Sequence, residues 1–331
     1  MWYKRDEQVT RMGIWYQGTS IGPAVSSLIS YGFLHYTNSA PNTAFKSWQI
    51  VFLLYGVATI AVGICVLFYL PDNPMRSRLT DAEKVCVINR VRGNGTGIEN
   101  KRTKWSQVRE VLVDPRTWLI SLIVIATNVP NGAVSTFSST IISNIGFNDY
   151  QSLLLNLPSA AVAFVSVAIA TYCAGRFNAR GLAIVFLVIP TMIGGALMAW
   201  LPADRKAGLL VGNYMTNTCG ASLPLLYSWI TANYAGHSKK TTMSAIVLMS
   251  FCVGNIIGPK TFRDSDAPAY IPAKICIVVF LAFALLLIAL LDGFYIWENK
   301  RRNDLGEIDM PADWELMDLT DKQNKRFRYV M

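Results

Sequence analysis

The residues of this chain best suited to chemistry are polar side chains set inside long apolar runs. Asn128, Asn131 and Ser135 stand at i, i+3 and i+7, so on a helix they share one face. Pro130 and Gly132 lie among them, and a proline inside a helix leaves a carbonyl without its usual donor. Asn213 and Asn217 stand at i, i+4 in a second run, followed by Gly220 and Pro224. Asn255 sits between Gly254 and Gly258 in a third run, and Tyr16 and Gln17 lie in a fourth. In hydrocarbon such groups are costly unless they face another helix or a water-filled cavity. The chemistry they offer is reversible hydrogen bonding, either to a small solute or across helix interfaces. Both readings stand for every one of these residues. The glycines allow close helix packing, and Gly18 and Gly22 form a small-residue face of that kind. No metal-ligand, nucleophile–base or paired-carboxylate constellation lies in or beside the runs, which argues against an enzyme. No cofactor is expected.

Those residues must be positioned by the runs themselves. Eight blocks approach the roughly 17–25 residues that a helix needs to cross a bilayer. They are Gly13–Leu34, Trp48–Leu70, Trp118–Ile142, Leu153–Ala174, Gly181–Leu201, Gly208–Ala235, Thr241–Pro259 and Ile275–Trp297. Together they hold one charged residue, Asp292. Trp15, Trp48, Trp118, Trp200 and Trp297 fall near block ends, as an interfacial aromatic belt requires. Only 15% of the 331 residues are charged, against about 25% in an average soluble domain. A soluble protein with eight almost charge-free helices is improbable, so the bilayer is the expected surrounding.

Charge placement orients the blocks. Of the 30 Lys and Arg residues, 24 lie in the two end segments and the loops on one side. By the positive-inside rule that side is cytoplasmic, and both termini lie there. The same rule accounts for the net charge of +9 without nucleic acid, for which no basic-aromatic pattern exists. Arg176 and Arg180, in a short loop on that side, are candidates for gating by pairing with helix C-termini or acids. Topological charge alone is the equal alternative. The six cysteines show no CxxC spacing and read as buried free thiols.

The segment from Leu70 to Trp118 is the only long polar stretch between apolar blocks. Thr80-Asp81-Ala82-Glu83 is a capping box that predicts a short helix from Asp81, stopped by Gly93, Gly95 and Gly97. The sequon at Asn94 would be unmodified on the cytoplasmic side. In order, the stretch carries Leu70-Pro71-Asp72 with Pro74, Leu79-Thr80 with Glu83, Arg90-Val91-Arg92, Thr96-Gly97, Gln107, and Asp114-Pro115 with Thr117-Trp118. This set resembles the central loop of fungal major facilitator transporters of the anion:cation symporter group, the allantoate permease family. The ending Asp318-Leu319-Thr320-Asp321, Asn324 and Phe327-Arg328-Tyr329 is similar to that family's C-terminal signature. Pro130-Asn131-Gly132, and Gly254 through Pro259, resemble its spans as well.

The resemblance implies an all-α integral membrane fold, a major facilitator type helical bundle with about eight transmembrane helices matching family spans five to twelve. Residues 1–70 then form a two-span remnant of an N-terminal half, 71–117 the central loop, 118–297 a six-span half and 298–331 a cytoplasmic tail. It further implies secondary active uptake of a small organic anion such as allantoate, coupled to protons, at the plasma membrane. A membrane-embedded scaffold or solute sensor is the rival reading. The substrate-binding candidates are Asn128, Asn131, Ser135, Asn213, Asn217, Asn255, Tyr16 and Gln17. Two spans precede the loop and six follow it, so the expectation is a chain lacking about four N-terminal spans. Such a chain is expected to accumulate poorly and to show no proton-coupled uptake alone. The topology has a direct check: proteases added to intact cells should leave residues 71–117 uncut, and cleavage there would invert the orientation.

Overall fold

A computed structural model describes residues 3, 5–39, 45–71, 77–92, 103–177, 179–202, 204–267, 269–304 and 318–331. Pro74, Arg76, Gly93, Gly95, Gly97, the sequon at Asn94 and Asn178 lie outside the described residues. Among those described there are twelve α-helices and no strand. They are α1 Arg5–Tyr16, α2 Gly18–Ser39, α3 Ser47–Tyr69, α4 Asp81–Arg92, α5 Trp105–Val113, α6 Pro115–Asn144, α7 Asp149–Phe177, α8 Arg180–Trp200, α9 Lys206–Thr216, α10 Ser222–Asn233, α11 His237–Lys260 and α12 Ile271–Asn303. Six of them, α3, α6, α7, α8, α11 and α12, are long and apolar enough to cross a membrane.

The other two expected spans are present as interrupted helices. Block Gly13–Leu34 falls on α1 and α2, which part at Gln17. There the Thr19 hydroxyl donates to the Tyr16 carbonyl at 2.8 Å, and Pro23 has no N–H to offer the preceding turn. Block Gly208–Ala235 falls on α9, a 3₁₀ turn over Asn217–Ala221, and α10. The Asn213 carbonyl accepts from Thr216 Oγ1 at 2.6 Å and from Asn217 Nδ2 at 2.9 Å, so side chains compete for it with the helical ladder. Pro224 then removes a donor just beyond the turn.

Local chemistry sets the other helix starts. Thr80 donates to Glu83 Oε2 through its N–H at 2.9 Å and its hydroxyl at 2.8 Å, and α4 begins at Asp81 as the capping box predicts. Asp114 caps α6 by accepting from Arg116 N at 3.1 Å, with Pro115 in the first turn. Gly236 enters α11 at φ +94, a conformation costly for other residues, and a Cβ there would press on the Gln107 side chain. Helix α5, not foreseen from the sequence, is amphipathic: it buries Gln107 and Val111 and exposes Trp105.

Packing is closest between α6 and α11. A Cβ on Gly132 would lie 2.7 Å from Asn255 Cα, one on Gly254 2.9 Å from Asn128 Cβ, and one on Gly258 would collide with the Val129 carbonyl. The backbones therefore touch along this seam, as the glycines of the third and seventh expected spans allow. Gly194 and Gly212 bring α8 and α9 together in the same way. The small-residue face expected at Gly18 and Gly22 meets no partner among the described residues, where nothing lies within 4 Å of a Cβ at either position, and Gly13 instead meets Thr171 of α7. Helix α3 packs mainly on α2 and buries none of its residues. The expectation of buried thiols also needs correction, since only Cys219 is buried while Cys65, Cys86 and Cys252 are exposed. In an apolar run the outward and inward faces have the same composition, so the sequence could not separate them.

Gly258→Ala should destabilise the purified chain by about 1–3 kcal/mol, the usual range for overpacking, whereas Gly56→Ala, which faces open space, should not. Thermal melts in detergent provide the check. Equal melts for the two variants would mean that the α6–α11 seam can separate at little cost.

Candidate functional site

The interruptions of the helices converge. From the 3₁₀ turn, Cys219 Sγ donates to the Thr127 carbonyl of α6 at 3.1 Å, about one turn before Pro130. Thr218 Oγ1 meets Thr191 Oγ1 at 2.7 Å and the Leu187 carbonyl of α8 at 3.0 Å. Tyr16, at the end of α1, is buried with its hydroxyl in electrostatic reach of Cys219 and of Tyr227 in α10. Next to it, Gln17 Nε2 donates to the Phe164 carbonyl of α7 at 3.1 Å, and its Oε1 is buried without a protein partner. Across the α6–α11 seam Asn131 Nδ2 donates to Asn255 Oδ1 at 3.3 Å. A Cβ on Gly220 would sit 3.5 Å from Asn131 Oδ1. Asn131 lies near the middle of the 30-residue α6, so this polar centre is at mid-bundle depth.

The candidates occupy different depths in the packing. Asn131, Asn217 and Asn255 are half-buried, with polar atoms beside the seam or the turn. Ser135 is exposed and donates to the Gly132 carbonyl at 3.3 Å. Asn128 is buried in the seam, where it donates back to the Val124 carbonyl at 2.8 Å and packs on Gly254. The helical spacing with Asn131 and Ser135 is real, but only Asn131 and Ser135 reach an open side. Asn213 is fully buried, and neither of its amide atoms has a hydrogen-bond partner among the described residues. Arg176 and Arg180 do not share an environment. Arg176 is exposed in the last turn of α7, whereas buried Arg180 donates from Nε to Ser228 Oγ at 3.0 Å.

A second cluster was missed in the sequence, at the end of the bundle that carries the tail. Arg116 is buried between Asp114 and Asp321, donating to Asp321 Oδ2 at 2.9 Å. Lys239 Nζ, fully buried at the start of α11, lies 2.5 Å from Asp321 Oδ1 and 2.7 Å from Glu110 Oε1. The Tyr329 hydroxyl donates to Asp321 Oδ2 at 2.8 Å. Arg302 donates from Nη1 to the carbonyls of Asp321, Asn324 and Phe327, so the tail folds around one guanidinium. Arg116 and Lys239 had registered only as topological charges. The tail signature was the one signal that could have pointed to the cluster.

The field of these cations sets the protonation of the acids. Burial pushes the Asp321 carboxyl up, but Arg116, Lys239 and the Tyr329 hydroxyl outweigh it and hold it below the ordinary range. Asp114 behaves likewise, with Arg116 and Lys322 outweighing burial. The Tyr329 hydroxyl is pushed well up, by burial first and by Asp321 second.

Fold and site define a class first: a multi-pass helical membrane protein whose two interrupted spans meet the proline-containing middle of α6 at a polar centre. A family model described as Major Facilitator Superfamily matches residues 1–259. The thiamine pathway transporter of Saccharomyces cerevisiae is 35% identical over all of this chain and 63% of its own length. The allantoate permease of the same yeast is 33% identical over all of this chain and 63% of its own length. An MFS-type transporter of Penicillium expansum is 36% identical, with 100% of this chain and 67% of the relative covered. The chain belongs to the Major Facilitator Superfamily, among fungal members that are transporters and not enzymes. It spans 63% of the length of each of the two yeast relatives. The crystal structure of the Escherichia coli fucose:proton symporter has the same fold, with a TM-score of 0.50 at 11% identity over 86% of this chain and 87% of that one.

The depressed acids make a pH prediction. A carboxylate whose folded pKa is lowered contributes stability above its unfolded value, near 3.9 for Asp, and loses it as pH falls through the folded value. Melting temperature in detergent should therefore drop as pH falls below about 4. The drop should be smaller in Asp114→Asn, which starts from a lower plateau. An identical acid profile in the variant would exclude Asp114 as a contributor.

Proposed function

We propose that this chain forms part of a secondary active transporter that takes up a small organic anion with protons across the plasma membrane. The observation that carries the reading is the amide contact of Asn131 with Asn255 beside Gly220, at mid-depth, where three backbone interruptions meet. Binding sites built near the bilayer midplane from discontinuous helices are the general solution for such carriers. Amide N–H groups can donate hydrogen bonds to a carboxylate and so can hold an anion reversibly. The choice of an organic anion is supported by the allantoate permease relative and by the loop and tail motifs. The tail-side end is taken as cytoplasmic because 24 of the 30 Lys and Arg residues lie on that side. In this reading Asn131, Asn255 and Asn217 contact the solute, with Tyr16, Gln17 and Ser135 flanking them. Asn128 and Asn213 act from within the packing, and Arg180 holds the inner end closed.

Uptake of labelled allantoate and related carboxylates, with and without a pH gradient, tests this. The chain should be expressed alone and fused behind the part of the yeast permease that it does not cover. At equal membrane abundance Asn131→Ala and Asn255→Ala should each lower uptake about tenfold, the loss of roughly one hydrogen bond to a charged group. Unchanged uptake at equal abundance would remove the α6–α11 seam from the site. Solute binding without uptake in the fusion would favour the sensor reading.

A further inference from the structure

The segment from Asp318 to Val330 has no regular helix, yet five of its residues, Thr320, Asp321, Asn324, Phe327 and Tyr329, are buried. Its polar groups are spent on helix ends. Asn233 of α10 pairs with Val330 twice, donating to its carbonyl at 2.8 Å and accepting from its N–H at 2.7 Å. Asn299 of α12 does the same with Tyr329, at 2.7 and 2.9 Å. Asp318 accepts from His237 N at 2.7 Å and from Lys104 Nζ at 2.9 Å. Asp321 is the one carboxylate that both Arg116 of α6 and Lys239 of α11 reach. These named contacts fall on the ends of α6, α10, α11 and α12 and on Lys104 just before α5, spread over some two hundred residues of sequence.

We propose that Asp318–Val330 is a strap that makes the tail-side ends of α6, α10, α11 and α12 open and close as one cooperative unit, with Asp321 as its pin. Release of the strap removes a carboxylate from two buried cations. Glu110 and Asp114 remain for them, but they sit on α5 and at the α6 cap and cannot bridge α6 to α11. Breaking a buried pair by withdrawing one partner is strongly unfavourable, so strap release and separation of the helix ends are linked in energy. The reverse linkage holds as well: the groove for the strap exists only when all these ends are in place. For its use the device rests on the transport reading, since rocking of one half-bundle against another requires each half to move as a body. Its existence is independent of that reading and is tested without any solute.

Hydrogen exchange of the purified full chain in lipid nanodiscs is the experiment. In the unsubstituted chain the amides of Tyr329 and Val330 should exchange in the same rate class as those of Ile230–Tyr234 and Glu298–Arg302, because one opening event exposes them all. Asp321→Asn should raise exchange at the strap and at both helix ends by about tenfold or more, and leave Gly194–Trp200 at the opposite end unchanged. Asp321→Glu, which keeps the charge, should recover most of the protection. Strap amides that exchange about tenfold faster than the helix ends in the unsubstituted chain would overturn the proposal. So would an Asp321→Asn variant in which only the strap is released. If that variant does not accumulate, the unsubstituted chain and Asp321→Glu still decide. Absence of uptake in the unsubstituted fusion, with the exchange pattern as expected, would count against the transport reading alone.

Discussion

A single carboxylate, Asp321, is shared by two buried cations that stand at the first turns of two different helices, Arg116 on α6 and Lys239 on α11. Much of the architecture depends on this constraint. α6 and α11 form the closest pair in the molecule, and from the charged end their backbones remain in contact past Gly254, Gly132 and Gly258. The charge cluster sets the helix ends, and the glycines set the separation along the seam. Between them they determine that the amides of Asn131 and Asn255 meet. A buried ion pair is not in itself a large net source of stability, because desolvation offsets much of the attraction. Its effect here is on arrangement: two buried cations admit only those packings that supply them with carboxylates.

The polar centre follows from a different constraint. A continuous helix uses up its own donors and acceptors and presents only side chains. Where the ladder is interrupted, backbone groups become available, and in an apolar surrounding they must find partners. In this chain the 3₁₀ turn at Asn217–Ala221 is tied to its neighbours by side chains: Cys219 reaches the carbonyl of Thr127 in α6 and Thr218 that of Leu187 in α8, and Tyr16 at the α1–α2 break sits beside them. Asn213, buried with no partner for either amide atom among the described residues, marks a place where this accounting does not close there.

Legibility in the sequence varied with the range of the interaction. The capping box at Thr80 and Glu83 is local, and α4 starts where it predicts, while the apolar runs fall on helices, two of them interrupted, and α6 begins at Pro115, three residues before the expected Trp118. The glycines of the α6–α11 seam were legible as packing residues, yet the same pattern at Gly18 and Gly22 faces open space. A small residue permits close approach without compelling it, so a partner helix must also be present. The spacing of Asn128, Asn131 and Ser135 correctly gave one helical side. Their burial, from enclosed to exposed, depends on the curvature of a neighbour that no spacing encodes. Arg116 and Lys239 were read only as topological charges, because topological and structural cations share composition and position along the chain.

By itself the sequence determined the class of the molecule. Run length, near-absence of charge within runs and the side bias of Lys and Arg depend on the exchange of water for hydrocarbon, which each segment undergoes independently. Ordered motifs in the central loop and tail carried the family, because they are strings of neighbours. Only the tertiary structure decided which polar residues meet, which are sealed in the packing, and that the tail is an integral part of the bundle rather than a solvated end. Those outcomes are pairings between residues more than a hundred positions apart, such as Asn131 with Asn255 and Arg116 with Asp321. Each has several chemically equivalent alternatives along the chain. The choice among them is made by the joint packing of all the helices, which no single segment contains.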